Sequence, residues 1–144
     1  MIHNSEVSTN FTDVAGRPYK MSYADGAFSR SYYNARGQLE KQTDPDNVTT
    51  LFQYNGRGEQ EYQAIDMNGN GTIDLGGLDR VSRTVTLATN LGVDLIQTRT
   101  WVWMGDNSPS ETLVNDSRAA TDGLRQWTLR FGISNWTHTS VKFW

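Results

Sequence analysis

The sequence predicts an all-β protein built from antiparallel hairpins, and three observations support that fold class. A short phrase ending in glycine recurs every 21 residues, at Gly16, Gly37 and Gly58. Apolar and polar residues alternate between these glycines, as at Tyr19, Met21 and Tyr23, which is the period of a β-strand. The 144 residues include 13 glycines and many Asn, Asp, Ser and Thr residues, which are typical of a chain that turns often.

The first half of the chain reads as a regular array, with one hairpin per 21 residues over residues 11–65. Strands are expected at 19–23, 28–33, 39–43 and 48–54. Asp25-Gly26 tolerates positive φ in a tight hairpin turn, and Pro45 fixes φ in the turn before Asn47. A fixed period of this length is typical of a repeat array, in which neighbouring units bury each other's apolar surface.

The period breaks after Ile65. Residues 66–79 form a polar, glycine-rich insertion, and residues 80–144 read as variant repeat strands. Strand patterns are expected at 81–87, 95–104 and 127–131, with turns at 106–109 and 122–123. No stretch has a helical period, and residues 116–120 leave room for one short helical turn at most. Because Leu95–Met104 is apolar on both faces near its end, it is a candidate central strand. We therefore treat 1–144 as a single repeat-array segment, and we expect it to be part of a longer chain.

Composition and charge exclude several classes of function. A formal net charge of −3 without a basic block argues against nucleic-acid binding. The absence of cysteine excludes disulfides, structural Cys zinc sites and Cys nucleophiles. There is no apolar run of about 18 residues for a spanning helix, and Met1–Asn10 lacks the apolar core of a signal peptide. His3 and His138 have neither nucleophile nor metal-ligand spacing around them, so no enzymatic activity is expected.

Three phrases in the first half carry a family resemblance: Tyr33-Asn-Ala-Arg-Gly37-Gln-Leu39, Thr43-Asp-Pro45 and Tyr54-Asn-Gly-Arg-Gly58. They resemble the YD repeat of the Rhs (rearrangement hotspot) family, well over residues 11–65 and loosely over 78–140. The chain departs from that repeat at turn residues, because Asn34 and Asn55 replace an acidic residue and Asn47 replaces a glycine. Asn is tolerated at turn and left-handed positions, so the resemblance implies the same fold.

Rhs-type proteins, like teneurins and insecticidal toxin complexes, wind such hairpins into a hollow β shell. The resemblance therefore implies a curved, spiralling sheet that forms a wall segment of a shell, which encloses or presents a C-terminal toxin or effector. It implies that the partners are the rest of the same shell and the enclosed toxin. It also implies that the protein is secreted or lies at the cell surface. Neither nucleic acid nor a transmembrane segment is expected.

The aromatic residues leave a second interpretation open, that of a cell-surface carbohydrate-binding repeat. The chain holds five Trp and six Tyr residues, whose ring faces can stack on sugars. However, Tyr33 and Tyr54 occupy positions locked to the repeat, as a ladder of packed rings along a sheet requires. Trp101 and Trp103 share one face of one strand. We expect these four residues to be mostly buried in a structural wall.

The insertion carries the pattern of a calcium-binding loop. Its candidate ligands are Asp66, Asn68, Asn70, Thr72, Asp74 and Asp79. Carboxylate and amide oxygens alternate along a loop that bends at Gly71, as in an EF-hand-type loop, and Thr72 would offer its backbone carbonyl. Gly77 stands where such a loop has a bidentate Glu. Two interpretations stay open: a weak calcium site in which Asp79 replaces that Glu, or a hairpin turn without an ion.

Overall fold

The computed structural model of the chain describes residues 7–90, 92–131 and 136–140. Over these residues it forms one 11-stranded sheet, in which the strands follow one another in chain order and every neighbouring pair is antiparallel. The strands are β1 (Thr9–Thr12), β2 (Pro18–Ser22), β3 (Phe28–Tyr33), β4 (Leu39–Thr43), β5 (Thr49–Tyr54), β6 (Gln60–Asp66), β7 (Arg80–Asn90), β8 (Asp94–Trp103), β9 (Thr112–Ala120), β10 (Gln126–Phe131) and β11 (Trp136–Ser140). The predicted all-β class of repeated hairpins is confirmed. The sheet is open, since β1 and β11 are its two edges.

The hairpin loops of the regular repeat have three residues and one shared geometry. In the first loop, the Gly16 N–H donates to the Asp13 carbonyl (2.9 Å), and the Asp13 N–H donates to the Arg17 carbonyl (2.9 Å). Gly16 has φ +78° and Asn47 has φ +65° at the same position of its loop, a left-handed conformation that favours Gly and tolerates Asn. Such loops combine a type I turn with a glycine bulge. In the loop that contains Asp25-Gly26, only Gly26 takes positive φ. The positive φ expected for this pair of residues is therefore found at Gly26 and not at Asp25.

Four of these five loops open with Asp or Asn, whose side chain caps the turn, and the 23–27 loop opens with Tyr23. Asn34 Oδ1 accepts the N–H of Arg36 (2.9 Å) and of Gln38 (3.0 Å). Asn55 Oδ1 likewise accepts the N–H groups of the residues two and four positions later. Asp13 Oδ1 does the same in the first loop. A carboxylate oxygen and an amide oxygen accept equally well here, which explains why the departures at 34 and 55 leave the hairpins intact.

Two further features recur with the 21-residue period. The register between paired strands shifts after Phe11, Tyr32 and Gln53, which marks a β-bulge at the same place in each unit. The Tyr33 hydroxyl donates to the Pro18 carbonyl (2.7 Å), and the Tyr54 hydroxyl donates to the Leu39 carbonyl (2.8 Å). Each tyrosine therefore ties its strand to the residue 15 positions earlier in the chain.

The core lies on one face of β5–β8. Leu51, Ala64, Val81 and Trp103 form one buried cluster, and the register places them opposite one another in successive strands. Trp103 is 4% exposed, whereas Tyr33, Tyr54 and Trp101 are half-buried. The expectation that these four residues are mostly buried is therefore confirmed, and Trp103 alone is fully buried.

The structure decides one point in the second half that the sequence left open. Residues 116–120, which left room for a short helical turn, lie in β9 and pair with β8 and β10. Asp116 faces Arg99 across the β8–β9 ladder, so cross-strand pairing decides the conformation there. The expected central strand is confirmed as β8, which lies between the long strands β7 and β9. His3 lies outside the described residues.

Candidate functional site

The insertion at 66–79 connects β6 to β7 and is held together by its own polar side chains. Asp66, the last residue of β6, accepts the Gly69 N–H with Oδ1 (2.7 Å) and the Gly71 N–H with Oδ2 (2.9 Å). Both glycines have positive φ, +73° and +75°. The Gly71 bend expected from the sequence is present, and it turns backbone N–H groups toward the Asp66 carboxylate.

Asp74 is the centre of the second half of this loop. Its Oδ2 accepts the side-chain amides of Asn68 (2.8 Å) and Asn70 (2.6 Å), and these bonds hold the pKa of the Asp74 carboxyl below its ordinary value. The amide oxygens of Asn68 and Asn70 accept backbone N–H groups of Asn70 and Thr72. Four of the six candidate ligands thus satisfy one another within the loop.

Asp79 lies beneath the loop and joins its two ends. It is fully buried, and it accepts the Met67 N–H with Oδ1 (2.9 Å) and the Asp74 N–H with Oδ2 (3.1 Å). Asp79 is in none of the ion pairs of the described residues, so these two backbone hydrogen bonds are what it contributes to the loop. Over that part of the chain, no group of three or more His, Cys, Asp or Glu side chains is arranged to hold a metal ion.

The insertion also docks onto the neighbouring loop at 104–111, a contact that sequence reasoning missed. The Asn107 N–H donates to the Gly77 carbonyl (3.2 Å), and Ile73 packs against the core cluster. Trp103 Nε1 donates to the Pro109 carbonyl (3.2 Å). Gly105, at φ +72°, leaves no room for a Cβ beside the Leu78 carbonyl. A glycine at that position is the only signal of this contact in the sequence.

A second feature that sequence reasoning missed is a set of cations held over aromatic rings on β1–β4. Lys20 Nζ lies 5.1 Å from the centroid of the Phe28 ring, Arg30 lies 5.0 Å from the same ring, and Lys41 Nζ lies 4.6 Å from Tyr32. We use the name cationic face for these three cations and their rings together with Phe11: Lys20, Arg30, Lys41, Phe11, Phe28 and Tyr32. Lys41 lies opposite Leu51, so the cationic face and the core occupy the same face of the sheet. The 21-residue steps from Lys20 to Lys41 and from Phe11 to Tyr32 were the available signal.

A buried polar cluster occupies the same face on β8 and β9. Asp116, 5% exposed, accepts hydrogen bonds from Gln97 (2.8 Å), Arg99 (3.2 Å) and Arg118 (3.2 Å). Burial acts to raise the pKa of the Asp116 carboxyl, but the bonds from Arg118 and Gln97 outweigh it and the pKa is lowered. Each polar group in the cluster is paired, which is the arrangement of a structural network.

Comparison with known proteins agrees with this repeat geometry. Residues 33–61, from the end of β3 into β6, match the family model described as RHS Repeat. No curated protein matches the chain. RHS repeats occur in extracellular or cell-surface proteins, and no helix long and apolar enough to cross a membrane is found in the part of the chain that the structure describes. Residues 33–61 match an RHS repeat, so the predicted resemblance to the Rhs/YD-repeat family is confirmed over that part of the chain.

Proposed function

We propose that this chain is a wall segment of an Rhs-type shell, which encloses or presents a C-terminal toxin or effector. The observation that carries this proposal is the continuous sheet of hairpins in chain order, with an open edge at each end. An open edge presents unpaired N–H and C=O groups to the next strand of the same kind. Each hairpin contacts only its neighbours, so such an array can be extended by further repeats.

The two faces of the sheet differ chemically, as the faces of a wall between solvent and cargo would. One face carries the core, the cationic face and the Asp116 cluster. The opposite face carries Thr side chains whose hydroxyls pair across strands, Thr84 with Thr100 (3.2 Å) and Thr86 with Thr98 (3.1 Å). A hydroxyl-rich face can stay hydrated, whereas the other face offers apolar and charged groups for contact.

Electron cryo-microscopy of the complete natural protein tests the proposal. We expect residues 7–140 to form part of a closed β wall, with density for a separate domain inside. A structure in which both faces of this sheet are open to solvent, without an enclosed or attached domain, would contradict the wall function. Fractionation of the producing cells should place the protein in the medium or at the cell surface.

A carbohydrate-binding module is the second candidate function, because the rings of Tyr19 and Tyr32 are each 43% exposed. The ring face of Tyr32 is, however, already covered by Lys41, and a sugar stacks on a free ring face. A glycan array discriminates between the two functions. Hits that Tyr19→Ala or Tyr32→Ala abolish without loss of stability would favour the module, and an array without hits favours the wall.

We also propose that the 66–79 loop binds calcium weakly. The order of its oxygen-bearing residues along the chain supports this proposal. The affinity expected of so few charged ligands is in the range of about 10⁻⁴ to 10⁻³ M, typical of extracellular modules. Binding would replace the hydrogen bonds by which Asn68 and Asn70 now satisfy Asp74.

A further inference from the structure

The cationic face is electrostatically unbalanced. Lys20 and Arg30 lie directly opposite each other in the β2–β3 ladder, and like charges in that position repel. Lys41 follows in the next strand, opposite Tyr32. Three cations therefore share one face of three consecutive strands, in a chain whose formal net charge is −3.

No acidic side chain of the described residues neutralises this face. The ion pairs of that part of the chain leave out Lys20, Arg30 and Lys41. Asp25, the acidic residue nearest in sequence to Lys20, accepts the Ala27 N–H (2.9 Å) and is in none of these ion pairs, and Asp13 is paired with Arg17 (2.8 Å). Glu40 lies at the bulge in β4 and makes no ion pair. An anionic ligand bound at this face would therefore reduce the repulsion among the three cations.

The aromatic rings hold the cations at the surface and keep apolar edges exposed. Phe28 lies beneath both Lys20 and Arg30, and Tyr32 lies beneath Lys41. Phe28 and Tyr32 are each 43% exposed and Phe11 is 38% exposed. Because the cations cover the ring faces, this surface is not suited to stacking on sugars. It is suited to carboxylates flanked by apolar side chains, which a polypeptide supplies.

We propose that the cationic face binds an acidic segment of a polypeptide. Neighbouring strands of a sheet are about 4.8 Å apart, and alternate side chains of an extended peptide are about 7 Å apart. Two or three carboxylates of one segment can therefore reach Lys20, Arg30 and Lys41 together. The guanidinium of Arg30 can take a carboxylate in a bidentate manner. This binding activity goes beyond the wall function and does not depend on it.

Biolayer interferometry tests the proposal with the full chain immobilised sparsely, so that self-association cannot interfere. The probes are a ten-residue peptide of alternating Glu and Leu, its Gln/Leu counterpart and a heparin oligosaccharide of similar charge. We expect the Glu peptide to bind at low ionic strength, at least about 10-fold more tightly than the Gln peptide, and to weaken as salt is added.

The triple variant Lys20→Gln, Arg30→Gln, Lys41→Gln should lose at least about 10-fold in affinity for the Glu peptide. The matched control is Arg36→Gln, Arg80→Gln, Arg125→Gln, which removes the same charge from exposed positions and should change the affinity less than about two-fold. Circular dichroism should show that both variants stay folded. Equal losses in the two variants, no binding at low salt, or tighter binding of heparin than of the Glu peptide would overturn the proposal.

Discussion

At the scale of single residues, the side-chain oxygen of the Asp or Asn that opens four of the five regular hairpin loops stabilises the turn. Asn34 Oδ1 accepts two backbone N–H groups that would otherwise lack a partner in the turn. We predict that Asn34→Ala lowers the free energy of unfolding by about 1 kcal/mol. Asn34→Asp should retain most of the stability, because Asp13 fills the same role in the first loop. Urea denaturation of the three proteins checks this, and equal losses in both variants would contradict the capping role.

Asp116 gives the stability a specific dependence on pH. Its pKa is lowered from the ordinary value of 3.8, so its contribution is present above that value and is lost as the pH falls through the lower, folded-state pKa. We predict that Asp116→Asn costs about 2 kcal/mol at pH 7, and that the variant and the parent converge as the pH falls through the lowered pKa of Asp116. The exposed Asp46→Asn is the control. A cost for Asp116→Asn that does not change with pH would contradict this assignment.

The sequence predicts some of these residue roles and not others. Glycines at a fixed period reveal where φ must be positive, because that requirement is local to the turn. The burial of Asp116 and the bonds of Asp79 depend on which strands and loops lie beside them. A periodic pattern in one chain segment does not contain that information.

At the scale of elements, β8 is held by one large side chain. Trp103 contacts the core cluster, and its indole N–H reaches the 104–111 loop. We predict that Trp103→Ala costs about 3 kcal/mol or more in the free energy of unfolding. Trp101→Ala on the same strand should cost less, since Trp101 is only half-buried. Chemical denaturation of both variants compares their free energies of unfolding. A larger loss for Trp101→Ala than for Trp103→Ala would contradict the role of Trp103 in the core.

The 66–79 loop makes a testable prediction about calcium. At millimolar calcium and the expected affinity, the ion would stabilise the fold by about 1 kcal/mol. Calorimetry should therefore record a small rise in the melting temperature with calcium and none with magnesium at the same concentration. Asp66→Asn should abolish the rise, while Asp46→Asn should leave it intact. An unchanged melting temperature at roughly 10 mM calcium would leave the loop as a plain turn.

The positions of the strands are easier to predict from the sequence than the contacts between strands and loops. The strand patterns at 28–33, 39–43 and 95–104 coincide with β3, β4 and β8 within one residue, because alternation and turn residues are local. The sequence left room for a helical turn over 116–120, and pairing with β8 and β10 makes these residues a strand instead. The docking of 66–79 on 104–111 brings together loops that are separated by two complete strands.

At the scale of the whole molecule, the account depends on the two open edges of the sheet. All four residues of β1 are exposed, and within the described part of the chain β1 pairs with β2 alone. β1 carries neither Pro nor Lys, the residues by which isolated edge strands avoid pairing. An edge of this kind is expected in a sheet that continues into another strand.

Sedimentation velocity of the chain, at roughly 1 to 50 µM, tests this claim most directly. The account predicts association that grows with concentration. It also predicts that Asn10→Lys with Thr12→Lys, on edge strand β1, reduces the association more than Val14→Lys with Ala35→Lys, which adds the same charge to exposed loops. A chain that remains a stable monomer over the whole range would contradict the claim that its edges are pairing edges.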